Sequence, residues 1–355
     1  MSLKSITLFF LGLLIFAQAQ AVIPSGYYDG TEGLYKVALK TQLYNIIKGH
    51  TALSYADLWT AFRSTDVRSD GKVWDIYSNT TNFIFGTNQD SGSGGTSEGQ
   101  FYNREHSFPK SWFGDATPMY TDLFHLYPSD KWVNNQRGNM PFGNVQSVTG
   151  YSANHYCEWG TSTESGNSLT VFEPSDDMKG DFARTYFYMV TRYENLVASW
   201  KSNANTEMLA GNAYPALSNW AIQVLLQWSR LDPVSVKEKN RNDVIYTTYQ
   251  HNRNPFIDFP SLAEYIWGDS TTFDFHPSKY TAVTAAKSDA SLFTAWSEHG
   301  NLCVRTTIGK SIEIMDLTGK VITRSVANQL ETIFPSGAYR SLLVRVENQV
   351  QKVVL

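Results

Sequence analysis

The apolar residues of YKVALKTQLYNIIKG (35–49) recur every three to four positions, at Leu39, Leu43, Ile46 and Ile47. That spacing predicts an amphipathic helix, which Gly49 stops. SYADLWTAFRSTD (54–66) predicts a second, with Ser54 as N-cap and Leu58 and Phe62 four apart. KVWDIYSN (72–79) alternates and reads as a strand. NQDSGSGGTSEG (88–99) reads as a loop, and FYNREH leaves it as a strand. YPSDKWVNNQRGN (127–139) reads as one short helix between Ser129, the natural N-cap, and Gly138, with Asn134 and Arg137 on one face. The strongest helical pattern runs over 179–200, where Phe182, Tyr186, Met189, Val190, Tyr193 and Val197 form a broad apolar stripe. Further helices are expected over 216–229, after the capping box of Ser235 and Glu238, and over 259–268.

Beyond residue 280 the pattern changes. Small polar residues over 281–300 suggest a linker. SIEIMDLTGKVITRSV and YRSLLVRVENQVQKVVL then alternate as strands, with LTGK and PSGA as turns. The expected fold class is therefore α+β: a largely helical domain over 20–280, then a small all-β, sandwich-like tail over 281–355. The first residues differ again. Lys4, the apolar run Ile6 to Phe16 and the small residues of AQA (17–19) read as a secretory signal peptide over 1–19, too short to span a membrane. An exported protein without a membrane span follows, and a monomer is expected.

Composition narrows the function classes. Hydrophobic residues make up 42% of the 355 and charged residues 17%, as in ordinary globular proteins. The net charge of −4 excludes a broadly basic nucleic-acid binder, so any attraction to phosphate must be local or bridged by a cation. Two cysteines, Cys157 and Cys303, do not make a disulfide scaffold.

FYNREHSFPKSW (101–112) places Glu105 directly beside His106. A carboxylate and the amide of Asn134 are hard oxygen ligands suited to Mg²⁺ or Ca²⁺. A neutral imidazole takes a proton from water. Together they suffice for phosphodiester hydrolysis. Adjacent strand residues face opposite ways, so a shared site requires the strand to end or twist there, and Pro109 fits an ending. His125 competes with His106 as the base, and the Glu105–His106 pair and Asn134 also read as side chains that are merely solvated. Asp176 and Asp177 read as a cation site or as acids at a helix N-terminus. Zinc is disfavoured, because neither H-E-x-x-H nor paired-cysteine spacing occurs.

NREHSFPKSWFG, TDLFHLYPSDKWVNNQRGNMPFG, VFEPSDDMKGDFARTYFYMVTRY and DPVSVKEKNRNDVIYTTYQHNRNPFIDFP, in this order, resemble the bacterial endonuclease I family, nucleases with a ββα-metal (His-Me) finger. The resemblance spans roughly residues 25 to 270. It implies that His106 is the general base and that Glu105 and Asn134 bind one divalent cation, Mg²⁺ or else Ca²⁺ or Mn²⁺. DNA, and possibly RNA, is the implied substrate, cut with little sequence preference. Asp122 and His125 are implied to order the finger. Arg184 and Arg137 are candidate catalytic residues as phosphate contacts, each equally readable as a structural ion pair. Some members carry a phosphate-stabilising arginine in a longer insertion after the base motif; here that span is short and holds Lys110. Tyr120 stands where some members have a carboxylate. The final module resembles the sorting domains of type IX secretion cargo, which implies that machinery as a partner. A non-catalytic extracellular binding protein on the same scaffold, and a glycosidase, are the alternatives.

Overall fold

The computed structural model describes residues 23–204, 206–278, 293–298, 301–316, 320–329, 331–335, 341–347 and 349–354. The expected signal peptide lies outside them. The chain divides into two compact units, 1–277 and 278–355.

The first unit opens with α1 (Lys36–Ile47) and α2 (Asp57–Thr65). α1 buries Leu39, Leu43 and Ile47, as its spacing predicts. It also buries Lys40, whose ammonium donates to Glu194 at 3.0 Å and to the Ala213 carbonyl. α2 starts two residues later than expected, because Ser54 and Asp57 bond each other across a preceding turn. Residues 72–79 form no strand. Asp75 accepts the backbone N–H of Tyr77, two residues on, and that of Asp130, so local side-chain bonding replaces a ladder.

β1 (Tyr102–His106) pairs antiparallel with β2 (Leu126–Asp130), with Glu105 opposite Tyr127 and His106 opposite Leu126. α3 (Lys131–Arg137) follows without a break. The expected helix over 127–139 is thus half strand. Ser129 lies buried in β2, and Asp130 is the cap, accepting from the N–H groups of Trp132 and Val133. Gly138, at φ +55°, ends the helix as expected.

A second sheet, in the order β3 (Ser147–Tyr151), β4 (Glu158–Ser162), β5 (Leu169–Glu173), leads to α4 (Lys179–Arg192). The stretch 179–200 is two helices, because Tyr193 leaves helical geometry before α5 (Glu194–Trp200). α4 is buried on nearly every side, against α1 and α6 (Asn219–Leu231) among others. Gly180 permits the close approach at its start: a Cβ there would lie 2.0 Å from the Asp232 carbonyl. The capping box of Ser235 and Glu238 opens α7 (Val236–Val244), and α8 (Pro255–Asp258) and α9 (Leu262–Ile266) complete the unit.

In the second unit, β6 (Phe293–Glu298), β7 (Asn301–Thr306) and β10 (Glu331–Pro335) form a sheet in the order β10-β7-β6. β8 (Ser311–Met315), β9 (Val321–Val326), β11 (Ser341–Val346) and β12 (Gln349–Val354) form a sheet in the order β12-β11-β8-β9. Leu302 and Val304 of one sheet share a core with Ile312, Ile314 and Val344 of the other, as in a sandwich. The expected linker shortens, since 293–298 is strand; residues 279–292 lie outside the description. The turns LTGK and PSGA lie largely outside it too. Cys157 and Cys303 are both buried.

One carboxylate ties the segment before β2 to α4. Fully buried Asp122 accepts from Tyr188 and Tyr193 hydroxyls at 2.9 and 2.8 Å, and from Gln250 and the Phe124 N–H, both at 3.0 Å. Burial alone would raise its pKa; His50, His125 and these donors outweigh burial and hold it below the usual value. A depressed folded pKa adds stability above the unfolded value and loses it as pH falls through the folded one. Asp122→Asn should therefore cost about 2–4 kcal/mol at neutral pH. In thermal melts the gap to wild type should begin to narrow below about pH 4, where the carboxyl of the unfolded chain protonates, and close below the lower pKa of the folded state. A gap independent of pH would remove the charge from this account.

Candidate active site

β1 and α3 are joined by side chains at two levels. Asn134 donates its amide to the Asn103 side-chain oxygen at 2.8 Å. One turn on, Arg137 donates from Nη1 to Glu105 Oε1 at 2.7 Å and to the His106 carbonyl at 3.0 Å, and from Nη2 to the Ser107 carbonyl at 2.8 Å. The helix face predicted for Asn134 and Arg137 therefore meets residues 103 and 105, which alternate onto one face of the strand. Arg137 is 1% exposed, so its guanidinium is a clamp inside the protein rather than a surface contact for phosphate.

Glu105 is buried and also accepts from the Tyr77 hydroxyl at 2.8 Å. Both bonds use Oε1, and Oε2 takes part in neither. Burial pushes the carboxyl up in pKa, while Arg137 and Tyr77 pull it back. A carboxylate held in this balance gains from a second cation. Asn134 spends its NH₂ on Asn103, which leaves its oxygen outside that bond. Two hard oxygen atoms thus remain on adjoining elements, a donor set that suits a hydrated divalent cation. Among the described residues no group of three His, Cys, Asp or Glu could hold a metal by itself.

His106 points to the other face, and β1 ends with it. Its Nε2 lies 3.0 Å from the Tyr120 carbonyl. A carbonyl only accepts, so Nε2 carries the proton and Nδ1 keeps a bare lone pair. Tyr55 stacks on the ring at 6.1 Å, and Tyr120 and His125 lie at 5.0 and 5.5 Å. Burial, then His125, Lys110 and Arg104, bring the His106 pKa down to about 3 against the pull of the carbonyl. The ring is neutral, as a base must be before it acts. His125 is fully buried and bonds the Met119 carbonyl through Nε2 at 2.6 Å, a placement that orders the connection instead of offering a base to solvent.

The Endonuclease I family model matches residues 36–261, nearly two thirds of the chain. This chain belongs to the Endonuclease I family. The extracellular ribonuclease of Bacillus subtilis (strain 168) is 39% identical over 246 residues, covering 68% of this chain and 78% of that protein. The extracellular ribonuclease of Bacillus amyloliquefaciens is 39% identical over 266 residues, covering 72% and 85%.

Within the Endonuclease I domain, the remaining sequence candidates separate. Arg184 lies on α4, fully buried, donating from Nε and Nη2 to both oxygens of Glu238 at 2.6 and 2.7 Å and from Nη1 to the Asp232 carbonyl. This is the ion-pair alternative to a phosphate contact: a guanidinium spent inside the fold has no free edge for substrate. Asp176 is exposed and pairs with Lys179 just before α4. Asp176 and Asp177 line a cleft of about 460 Å³ with Glu158 and Glu173, where Lys179 pairs with Glu173 and Asp176. Lys110, the cation in the short span, is exposed and paired with Asp115. Sequence reading passed over Arg104. It shares a strand face with His106, and that alternation is the signal that could have found it.

Arg184→Gln should therefore act on stability. Leaving Glu238 buried without its partner should cost about 3–5 kcal/mol, read as a lower melting temperature, while the folded fraction keeps the wild-type KM. A raised KM with unchanged melting would return Arg184 to the substrate.

Proposed function

We propose that this protein is an extracellular, divalent-cation-dependent endonuclease that hydrolyses phosphodiester bonds of RNA and DNA with little sequence preference. Supporting this are the family, the two extracellular ribonuclease relatives and the donor set of Glu105 and Asn134. The observation that carries it is the orientation of His106: with Nε2 fixed on the Tyr120 carbonyl, Nδ1 is the basic atom at the end of the strand that also bears Glu105.

The phosphodiester is read as lying across the end of β1, so that the two faces of the strand act on one phosphorus. His106 Nδ1 accepts a proton from water, the water oxygen bonds to phosphorus, and the P–O bond to the ester oxygen breaks as that oxygen takes up a proton from solvent. The Tyr120 carbonyl stabilises the imidazolium that results. A bound Mg²⁺, Ca²⁺ or Mn²⁺ would be held by Glu105 and Asn134 and would supply charge neutralisation at the phosphate and the leaving oxygen. Arg137 fixes Glu105 and the backbone of residues 106 and 107 in one unit, which holds base and carboxylate in register. Burial is the first cause of the low pKa of His106, with His125, Lys110 and Arg104 adding to it; a bound phosphodiester offsets the charge of Lys110 and Arg104 and to that extent raises the basicity of Nδ1.

Plasmid nicking and single-stranded RNA cleavage by the mature chain should both vanish with a chelator and return with added Mg²⁺. His106→Ala should lower kcat by about 10²–10⁴-fold with folding intact. Glu105→Gln and Asn134→Ala should raise the Mg²⁺ concentration needed for half-maximal rate. Wild-type rates in His106→Ala would end this assignment. We read the C-terminal unit as a type IX secretion sorting domain with no part in hydrolysis. Deleting 278–355 should block export from the native cell and leave the cleavage rate unchanged; a slower enzyme would give the tail a role in catalysis.

A further inference from the structure

Of the five buried arginines described in the first unit, Arg137, Arg184, Arg241 and Arg253 each pair with a carboxylate and Arg192 donates to His50. Arg104 is different. It is half-buried, yet no carboxylate lies within ion-pair distance of it among the described residues. Its guanidinium lies 3.5 Å from the centre of the Tyr55 ring and 4.3 Å from that of Trp59. Nη1 donates to the Tyr55 carbonyl at 2.7 Å. These contacts, with the Tyr55 side chain, hold the plane of the group and one corner, and Asp90 acts on its charge only from beyond ion-pair distance. A planar cation fixed by two rings and one carbonyl, with no carboxylate in ion-pair contact, is prepared for an anion from outside.

Its position says which anion. Arg104 and His106 are two apart on one strand face, about 6.6 Å at 3.3 Å per residue. Neighbouring phosphates along one nucleic-acid strand are a comparable distance apart. Tyr55 joins the two positions, since its ring carries the guanidinium and stacks on His106. Lys110 is a weaker candidate, because it already pairs with Asp115 and is exposed.

We propose that Arg104, layered on Tyr55 and Trp59, grips the backbone phosphate that flanks the cleaved one and so positions the strand over His106. This rests on the reading of His106 as the hydrolytic base. Arg104 is a positioning residue: it acts on the substrate beside the reacting group and not on the reacting group itself. It serves in this chain the need for a phosphate-binding cation that Arg137 and Arg184, both spent inside the fold, do not meet.

The test measures binding apart from cleavage. In the full mature chain carrying His106→Ala, a short fluorescent single-stranded RNA is titrated over a range of KCl concentrations. Adding Arg104→Gln should weaken binding about tenfold, the worth of one charge-assisted hydrogen bond. It should also reduce the slope of log affinity against log salt by about 0.7, the loss of one phosphate contact on a single strand. Arg104→Lys should restore the slope, since the charge returns. In the active chain, Arg104→Gln should raise KM for the oligonucleotide more than it raises KM for a dinucleoside monophosphate, which has no flanking phosphate; KM is the readout because Arg104 also acts on the His106 ring. An unchanged salt slope in a folded Arg104→Gln protein, or equal losses on the dinucleoside monophosphate and the oligonucleotide, would overturn the proposal. Full cleavage by His106→Ala would sink the hydrolytic reading alone, because the salt slope reports Arg104 whichever residue is the base.

Discussion

The bond between Arg137 and Glu105 fixes the relation of helix to strand on which everything at this site depends. Both groups are nearly withdrawn from water, and each is costly there alone. Their 2.7 Å contact offsets part of that cost, and the remaining donors of Arg137 are satisfied largely by two carbonyls of the turn after β1. Such a pair adds little net stability over an apolar replacement, but losing one partner leaves a buried charge behind. What it provides is position. The same guanidinium touches the side chain of residue 105 and the backbone of 106 and 107, so the carboxylate cannot shift without the end of the strand that carries the imidazole. Tyr77 and Tyr186 add to the cage from outside the β1–β2–α3 unit. The surrounding helical domain thereby holds a small unit whose two strands and one helix have little core of their own.

The parts of this arrangement that depend on neighbours in sequence were legible, and the parts that depend on distant neighbours were not. The adjacency of Glu105 and His106, the strand ending near Pro109 and the shared face of Asn134 and Arg137 follow from local periodicity alone. The assignment of 127–130 did not. Ser129 is as good an N-cap by type as Asp130, but pairing with β1 extends the chain through Ser129, and only Asp130 is left at the junction with both N–H groups in reach. The alternation of 72–79 misled for a similar reason. Asp75 bonds residues 77 and 130, and a pattern that fits a strand is spent on a local turn and a distant N–H. Whether Arg184 faces substrate or Glu238 was likewise undecidable locally, since its partner lies 54 residues away.

Arginine is used here in two ways that composition cannot separate. Arg241 answers Asp66 and Arg253 answers Asp243 and Asp258, just as Arg184 answers Glu238, and together they tie the helices of the domain to one another. These charges cancel internally and add nothing to the field outside. The net charge of −4 therefore understates how sparse positive potential is at the surface. Beside His106 the balance reverses, for Arg104 and Lys110 both act on its ring.

A local positive spot on an acidic body has a definite consequence for a hydrolase of polyanions. Long-range attraction falls off within about 10 Å at ordinary ionic strength, so a distant acidic surface does not prevent a strand from reaching two nearby cations. It does limit the number of phosphates held at once, and with it the number of counterions released on binding. Affinity then rests on few contacts, and those contacts must be well oriented to matter. A guanidinium layered on two aromatic rings loses less freedom on binding than a free lysine chain, which is the physical advantage of Arg104 over Lys110 at the same site. The economy of contacts also favours release: a product strand gripped at one or two phosphates leaves sooner than one bound along a basic groove, and the depressed basicity of His106 returns as soon as the anion departs.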